Sequence, residues 1–479
     1  MLNLKPEKVF DFFEQITKIP HGSFNESKIS EYLAEFAEKR RLEYKRDSHN
    51  NVLIKKSAAA GYEDSPAVIL QAHMDMVCVK TAESTHDFEK DPLTLTVSDG
   101  YLRADGTTLG ADDGIGVAMM LTLLDDATLP HPALECVFTV QEEVGLLGAV
   151  SFDTDDLKGK YLINIDSETE GEILSGCAGG LDVFLKFNCK RTAVEEDYEM
   201  YKIEVKGLKG GHSGQEIDKG HANAIILMGR ILSELLKTVP YEIVDMNGGN
   251  KLNAIADYAA STVTVRYQDA AKLKNICRKL NCDFKDEYGI NDPEIEINLI
   301  LVKENEKAEV LTQSGKTNLI KVLRMIPNGI QSMYDNMPQS SLNAGIFETD
   351  ENSFTLKMSV RSSIESLKHE ITDRLFKIAE SLDATITTEG DYPAWQPTDI
   401  SPLRNLFIQT YSELFQKEMK TLIIHAGVEC AVFKQKLPAV DMVSLGPEMH
   451  NVHTIKEELS VESTERTYNL IKEVLKKMK

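Results

Sequence analysis

Residues 67–75 read AVILQAHMD. The apolar run suits a strand buried on both faces, the kind found in parallel sheets covered by helices, and it stops on a polar tip. His73 and Asp75 are two residues apart, so on an extended segment an imidazole and a carboxylate project to the same side. The plan recurs downstream: LECVFTVQ at 134–141 runs into Glu142-Glu143, and YLINID at 161–166 closes on Asp166. Amphipathic spacing predicts helices over 6–18, 25–45 and 114–125, with a further strand at 52–55. Strands alternating with helices are α/β logic, and in open α/β sheets ligands collect at the carboxyl ends of the strands.

Beyond residue 181 the pattern changes to that of an α+β unit. Strands are expected at 181–188, 201–206, 262–267 and 354–360, and helices at 221–238, 309–325 and 365–381. After Tyr392 the first pattern returns, with a helix at 402–417, strands at 421–425 and 439–445, and a helix at 461–477. The expectation is one α/β domain split in sequence, residues 1–185 and 393–479, with a central mostly parallel sheet covered by helices. An α+β domain of residues 186–392 is inserted into it.

A chain of 479 residues exceeds what one hydrophobic core usually holds. Its 53 basic against 76 acidic side chains give a net charge of −23, which repels nucleic-acid phosphate and anionic lipid alike. Neither nucleic acid nor membrane is an expected partner. Seven scattered cysteines without a CxxC pair suggest reduced thiols in a cytoplasmic protein. No stretch approaches the roughly 18 apolar residues of a membrane span, and the N-terminus carries no export pattern.

Several chemistries are excluded by motif. Gly211-His212-Ser213-Gly214 lacks the spacing of a serine nucleophile elbow, and HExxH is absent. Gly114-Ile115-Gly116 lacks the third glycine of a dinucleotide fingerprint and follows Asp112-Asp113, which would repel pyrophosphate. The glycines around His212 are explained by a turn with positive φ alone.

The acids remain. Asp112 and Asp113 stand where a helix is expected to begin, and the helix dipole by itself accounts for acids there. Glu142 and Glu143 are harder to dismiss, because adjacent carboxylates at a buried strand end repel and lose hydration unless a cation or proton compensates. As neighbours on one extended segment they are expected to point to opposite sides, so that one binds metal while the other moves protons. Either His450 or His453, beyond the strand DMVSLG, can add a second imidazole. Nitrogen and oxygen donors without thiolates suit catalytic Zn²⁺, Mn²⁺ or Co²⁺.

In order, HMD (73–75), GADDG (110–114), QEEVG (141–145) and NID (164–166) resemble the strand-end motifs of the co-catalytic di-metal peptidase superfamily that includes dipeptidases, aminoacylases and tripeptidases. More narrowly, IPHGSFNE (19–26), GGNKLNAIA (248–256), DYPAWQP (391–397), IHAGVEC (424–430) and GPEMHNVHT (446–454) resemble the aminoacyl-histidine dipeptidase family, and the likeness covers almost the whole chain. The resemblance implies hydrolysis of Xaa-His and other unsubstituted dipeptides by a hydroxide shared between two divalent ions, Zn²⁺ first with Co²⁺ or Mn²⁺ as alternatives. The inserted domain becomes a lid.

It also implies roles. Asp112 bridges the ions, His73 and Asp166 complete one, and Glu143 and His453 the other. Glu142 is the general base, and Asp75 holds His73 from behind. His453 is preferred to His450 because the family's ligand is followed four residues later by an acid, here Glu457, whereas His450 has Thr454. Substrate contacts fall to His212, Asn253, Arg361 and Gly427, with His212 toward the oxyanion and Arg361 matched to a terminal carboxylate. A surface ion pair is the ordinary fate of a lone Arg. The alternatives are a tripeptidase, carboxypeptidase or N-acyl-amino-acid amidohydrolase on the same scaffold and, in a different class, a non-catalytic binding protein that retains the fold. Small peptides are the implied partners, and analogy allows a homodimer built through the insert.

Overall fold

The computed structural model describes residues 2–194, 198–304, 308–334 and 337–479. Among them the chain divides into two units: one holds the residues up to Cys177 with Trp395–Ile423 and Val428–Lys479, the other Ala178–Ala394 with Ile424–Gly427. The division falls at Ala178 instead of 186 because Gly179–Asn188 is a single strand, hydrogen-bonded along its length to Ser353–Ser362. Ile424 joins the second unit through its carbonyl, which accepts from the Ala178 N–H at 3.0 Å.

Among the described residues the first unit carries an eight-stranded sheet in the order Glu43–Arg46, Val52–Lys56, Leu134–Thr139, Val68–His73, Tyr161–Asn164, Asp441–Ser444, Glu172–Cys177, Lys420–Ile424. The expectation of a mostly parallel sheet is corrected to a mixed one. Leu134–Thr139, Val68–His73, Tyr161–Asn164 and Asp441–Ser444 run parallel, while their flanks pair antiparallel. Every residue of Val68–His73 and of Leu134–Thr139 is buried, which is why these strands read as apolar runs without alternation. Helices cover the sheet: Glu7–Ile16 buries Val9, Phe10, Phe13 and Ile16, and Ala111–Asp125 is buried almost all round. Each such apolar side chain contributes roughly 1.5–3 kcal/mol. The helix expected over 25–45 stops at Arg40, where Arg41 takes a left-handed φ of 55°, and Glu43–Arg46 pairs with Val52–Lys56 instead.

In the second unit nine of the described strands form an antiparallel sheet and two more, Arg191–Val194 and Ala308–Leu311, pair with each other, with helices Ala224–Leu236, Ala270–Tyr288, Gln313–Met325 and Glu365–Ser381. Ala270–Tyr288 was not expected from the sequence, although Leu273, Cys277, Leu280 and Phe284 lie on one face at helical spacing. The helix expected over 309–325 resolves into a strand, Ala308–Leu311, and a helix, Gln313–Met325. Among the described residues no helix is long and apolar enough to cross a membrane.

Candidate metal centre

The four parallel strands end on one edge, and the candidate donors other than Asp112, which stands at the start of the helix Ala111–Asp125, lie at or past those ends. The backbone ladder runs on briefly, with Met74 N–H donating to the Thr139 carbonyl at 2.8 Å and Ile165 N–H to that of Gln71 at 2.9 Å. His73 closes its strand, fully buried; Asp166 lies two residues past Asn164, and His453 in the loop beyond Asp441–Ser444.

Asp112 lies between the two imidazoles. Its Oδ1 is 2.9 Å from His73 Nε2, and its Oδ2 is 3.1 Å from His453 Nε2. His453 Nε2 is also 2.9 Å from Glu143 Oε1, and His73 Nε2 is 3.4 Å from Asp166 Oδ1. Donor atoms of Asp112, Glu143 and His453 fall within 4.8 Å of one another, as do those of His73, Asp113 and Asp166 and those of His73, Glu142 and Glu143. His450 turns elsewhere: its ring lies against Tyr101 at 5.7 Å between centroids, and its Nδ1 is 3.6 Å from Glu448.

The two readings of Asp112-Asp113 divide between the two residues. Asp112 has non-helical angles (φ −81°, ψ 106°) that turn it toward the imidazoles. Asp113 takes the capping part, its Oδ1 accepting from Gly116 N–H at 3.1 Å and its Oδ2 from His73 N–H at 3.2 Å. Gly116 permits this close approach, since a Cβ there would stand 2.3 Å from Asp113 Oδ1 and 2.6 Å from the Ile165 carbonyl.

The expectation that Glu142 and Glu143 share an extended segment is corrected. Gln141 has φ 55°, and the N–H groups of Gly145 and Leu146 return to the Glu142 carbonyl at 3.0 and 2.9 Å, so the pair sits in a turn. Asp75 anchors that turn: its carboxylate accepts from Glu142 N–H at 3.0 Å, Glu143 N–H at 3.3 Å and the Ser23 hydroxyl at 2.8 Å. Toward His73 Nδ1 the nearer atom is the Asp75 carbonyl, at 3.0 Å, with the carboxylate at 3.4 Å. Glu457, noticed in the sequence only for its spacing, is buried and accepts from the N–H groups of Leu109, Gly110 and Ala111 at 2.8, 3.3 and 2.8 Å. It thereby ties the loop that leads into Asp112 to the segment that follows His453.

The charges are strongly coupled. Burial lowers the proton affinity of His73 and His453, but the surrounding carboxylates outweigh it, raising His73 well above its usual range and His453 to about 11. Against burial, the same imidazoles hold Asp112 well below the carboxylate range. Burial and neighbouring acids push Glu142 well up and Glu143 to about 7. A donor set of carboxylates and two imidazoles, without thiolate and with this excess of negative potential, fits divalent cations.

The second unit has its own polar cluster. The His212 Nδ1 accepts from the N–H groups of Gly214 and Gln215 at 3.3 and 3.1 Å, which leaves the ring proton on Nε2. Ser213 N–H donates to the Asn253 carbonyl at 2.8 Å and His212 bridges to Ala254, so Asn253 stands beside the turn. Arg361 is buried and not a surface residue. It donates to the Tyr392 hydroxyl at 3.0 Å, and its Nε finds no partner among the described residues. The Tyr392 ring packs on Gly180 and Gly427, where an added Cβ would lie 2.4 and 2.7 Å from ring atoms. Ser341 faces Arg361 across the ladder and meets His425 Nε2 at 2.7 Å. Burial and the Arg361 cation push His425 down to about 4. Asn343, on the same strand, donates to the carbonyls of Leu252 and Ala254, so the groups around Asn253 and around Arg361 lie along one stretch of Met337–Thr349. Sequence reasoning missed Ser23, Tyr392 and His425 as functional neighbours, although all three sit in the quoted segments IPHGSFNE, DYPAWQP and IHAGVEC.

Comparison with known proteins is consistent along the chain. The model of peptidase family M20/M25/M40 matches residues 69–477. The cytosol non-specific dipeptidase of Escherichia coli (strain K12) is 38% identical over 478 residues, covering 99% of this chain and 98% of the relative. The crystal structure of aminoacylhistidine dipeptidase from Vibrio alginolyticus superposes with a TM-score of 0.90 at 34% identity, over 99% of this chain and 97% of that one. Aminopeptidase PepT from Bacillus cereus ATCC 10987 shares the fold at a TM-score of 0.57 and 16% identity, over 99% of both chains.

Proposed function

The chain belongs to peptidase family M20/M25/M40, and we propose that within it this protein is a two-metal dipeptidase acting on Xaa-His and other unsubstituted dipeptides. The observation that carries the reading is Asp112, whose two oxygens address two different imidazoles, the arrangement of a carboxylate shared between two cations. In this reading His73 and Asp166 hold one ion, and Glu143 and His453 the other. Zinc suits the donor set best, with cobalt or manganese as alternatives. Bound there, the ions would supply Lewis acidity, polarising the scissile carbonyl and acidifying water.

The rest is the work of this chain's own groups. Glu142, buried and raised in proton affinity, accepts the proton of the attacking water and returns it to the leaving amine. Asp75 keeps Glu142 and Glu143 in their turn through two backbone N–H groups. The Nε2–H of His212 suits a developing oxyanion, and the buried Arg361 guanidinium suits the free carboxylate of a short peptide, with Asn253 and Gly427 beside them. The second unit acts as a lid in this scheme. Two full-length relatives named as dipeptidases favour that substrate class over tripeptides, longer peptides or N-acyl amino acids. With a relative named as cytosolic, the cytoplasm is the proposed location.

Glu142→Gln tests the reading. It should lower kcat/KM by about 10²–10⁴-fold while the protein keeps two metal ions per chain by elemental analysis. An unchanged rate removes Glu142 from the mechanism. Rates on beta-alanyl-histidine, a tripeptide and an N-acetyl amino acid, measured side by side, test the substrate class.

A further inference from the structure

We propose that Glu429 is a positioning residue of the metal centre, locking together the three strand tips that carry His73, Glu142-Glu143 and Asp166. The inference rests on reading that edge as a metal site. Glu429 opens the helix Glu429–Lys436, one residue after the chain re-enters the first unit at Val428, and it is completely buried. Its Oε2 accepts from the Thr139 hydroxyl at 2.6 Å and from Gln71 Nε2 at 2.5 Å. Gln71 Oε1 accepts in turn from Asn164 Nδ2 at 2.6 Å, and the Asn164 amide also bonds to Asp166.

The placement of these partners carries the argument. Thr139, Gln71 and Asn164 each stand on a different one of three neighbouring parallel strands. Each lies just before a candidate donor: Thr139 before Glu142-Glu143, Gln71 two residues before His73, Asn164 two before Asp166. The backbone ladder holds the strands through His73 and runs on only at Met74 and Ile165, so it reaches neither Glu142-Glu143 nor Asp166. Directly beneath the donors, a side-chain chain runs across all three strands. An apolar side chain at 429 would fill the same space; only an acceptor oxygen can join Thr139 to Gln71. Glu429 has no cationic partner in this network, so its burial costs stability, and the two hydrogen bonds gathered at one oxygen are what it returns.

Two substitutions separate positioning from packing. Glu429→Met keeps the volume and removes the acceptor, whereas Glu429→Gln keeps an oxygen in place. Zinc affinity of the full-length chain is measured by competition with a chromophoric chelator, beside the melting temperature of the metal-free protein. Glu429→Met should bind zinc roughly 10–100-fold more weakly, the effect typical of groups that orient ligands, and Glu429→Gln should stay close to wild type. Wild-type zinc affinity in Glu429→Met, whatever its melting temperature, overturns the proposal, as does an equal loss in both variants. If Glu429→Met does not fold, Thr139→Val decides, because it deletes a single link: a several-fold loss of affinity supports the proposal and none overturns it. Wild-type protein that takes up no zinc sinks the metal-centre reading and the inference with it, while a zinc-binding wild type with unaffected variants sinks the inference alone.

Discussion

In the first unit the polar cluster at the strand tips is acidic, with Asp112, Glu143 and Asp166 crowding His73 and His453, whereas in the second it is basic, with Arg361 and Lys368 beside Tyr392 and His425. Histidine reports the contrast. Burial lowers the proton affinity of both His453 and His425; neighbouring acids then carry His453 up to about 11, while the Arg361 cation helps push His425 down to about 4. The clusters are relieved differently as well. The acids of the first unit have imidazoles as their cationic partners; in the second, Arg361 donates to the neutral Tyr392 phenol, whereas buried Lys368 donates to the Tyr392 carbonyl at 2.9 Å and is ion-paired with Asp391 at 2.6 Å and Glu365 at 2.8 Å. In the proposed function the acidic cluster would hold cations and Arg361 would receive the free carboxylate of a short peptide, two separate needs met in two separate units.

The largest effect expected from breaking this contrast lies in the acidic cluster. His453→Ala should lose about 10³-fold or more in kcat/KM, because a cation site worth several kcal/mol of transition-state stabilisation is dismantled. His450→Ala, whose ring lies on Tyr101, should leave both rate and metal content near wild type. Reversal of that order, read by elemental analysis and initial rates, would exchange the two residues.

A smaller change is expected on the basic side. Arg361→Lys keeps the charge but not the planar fork, and should cost about 1.5–3 kcal/mol, or ten- to a hundredfold in kcat/KM on dipeptides. The check is a dipeptide amide: lacking the carboxylate, it should be hydrolysed equally slowly by wild type and variant. The smallest effect concerns acid stability. His425 has a folded pKa of about 4, below its ordinary value, so the folded state binds fewer protons than the unfolded state between the two. The stabilisation is complete above the ordinary pKa of roughly 6.5 and is lost as pH falls toward 4; between pH 7 and 5.5 it should decline by about 1 kcal/mol. Denaturant unfolding of wild type and His425→Gln at the two pH values measures it, since the glutamine variant should show a shallower decline.

Much of the acidic cluster was legible because its donors close buried strands, and a row of apolar residues ending in His or Asp is readable without a partner. The basic cluster was harder. Arg361 could be named by resemblance, but its burial and its bond to Tyr392 depend on two glycines, 180 and 427, that come from distant parts of the chain and admit the same ring. Helix Ala270–Tyr288 was missed because four lysines and Arg278 crowd the positions around its narrow apolar stripe. Glu457 was visible only through its spacing from His453, and Glu429 carries no local signal, since the hydrogen-bond partners of both lie more than 200 residues away in sequence.

By itself, the amino-acid sequence determined which strands are buried and that their carboxyl ends carry acids and imidazoles, because apolar periodicity and residue chemistry are local properties. Only the tertiary structure decided that Asp112 faces the imidazoles while Asp113 caps a helix, that His453 and not His450 reaches Glu143, and that Asp75 spends its carboxylate on the backbone of Glu142 and Glu143. Those choices turn on φ and ψ at a few non-helical or left-handed positions, Asp112, Gln141 and His453 among them. Such angles are held by hydrogen bonds from remote segments, and no local pattern encodes them.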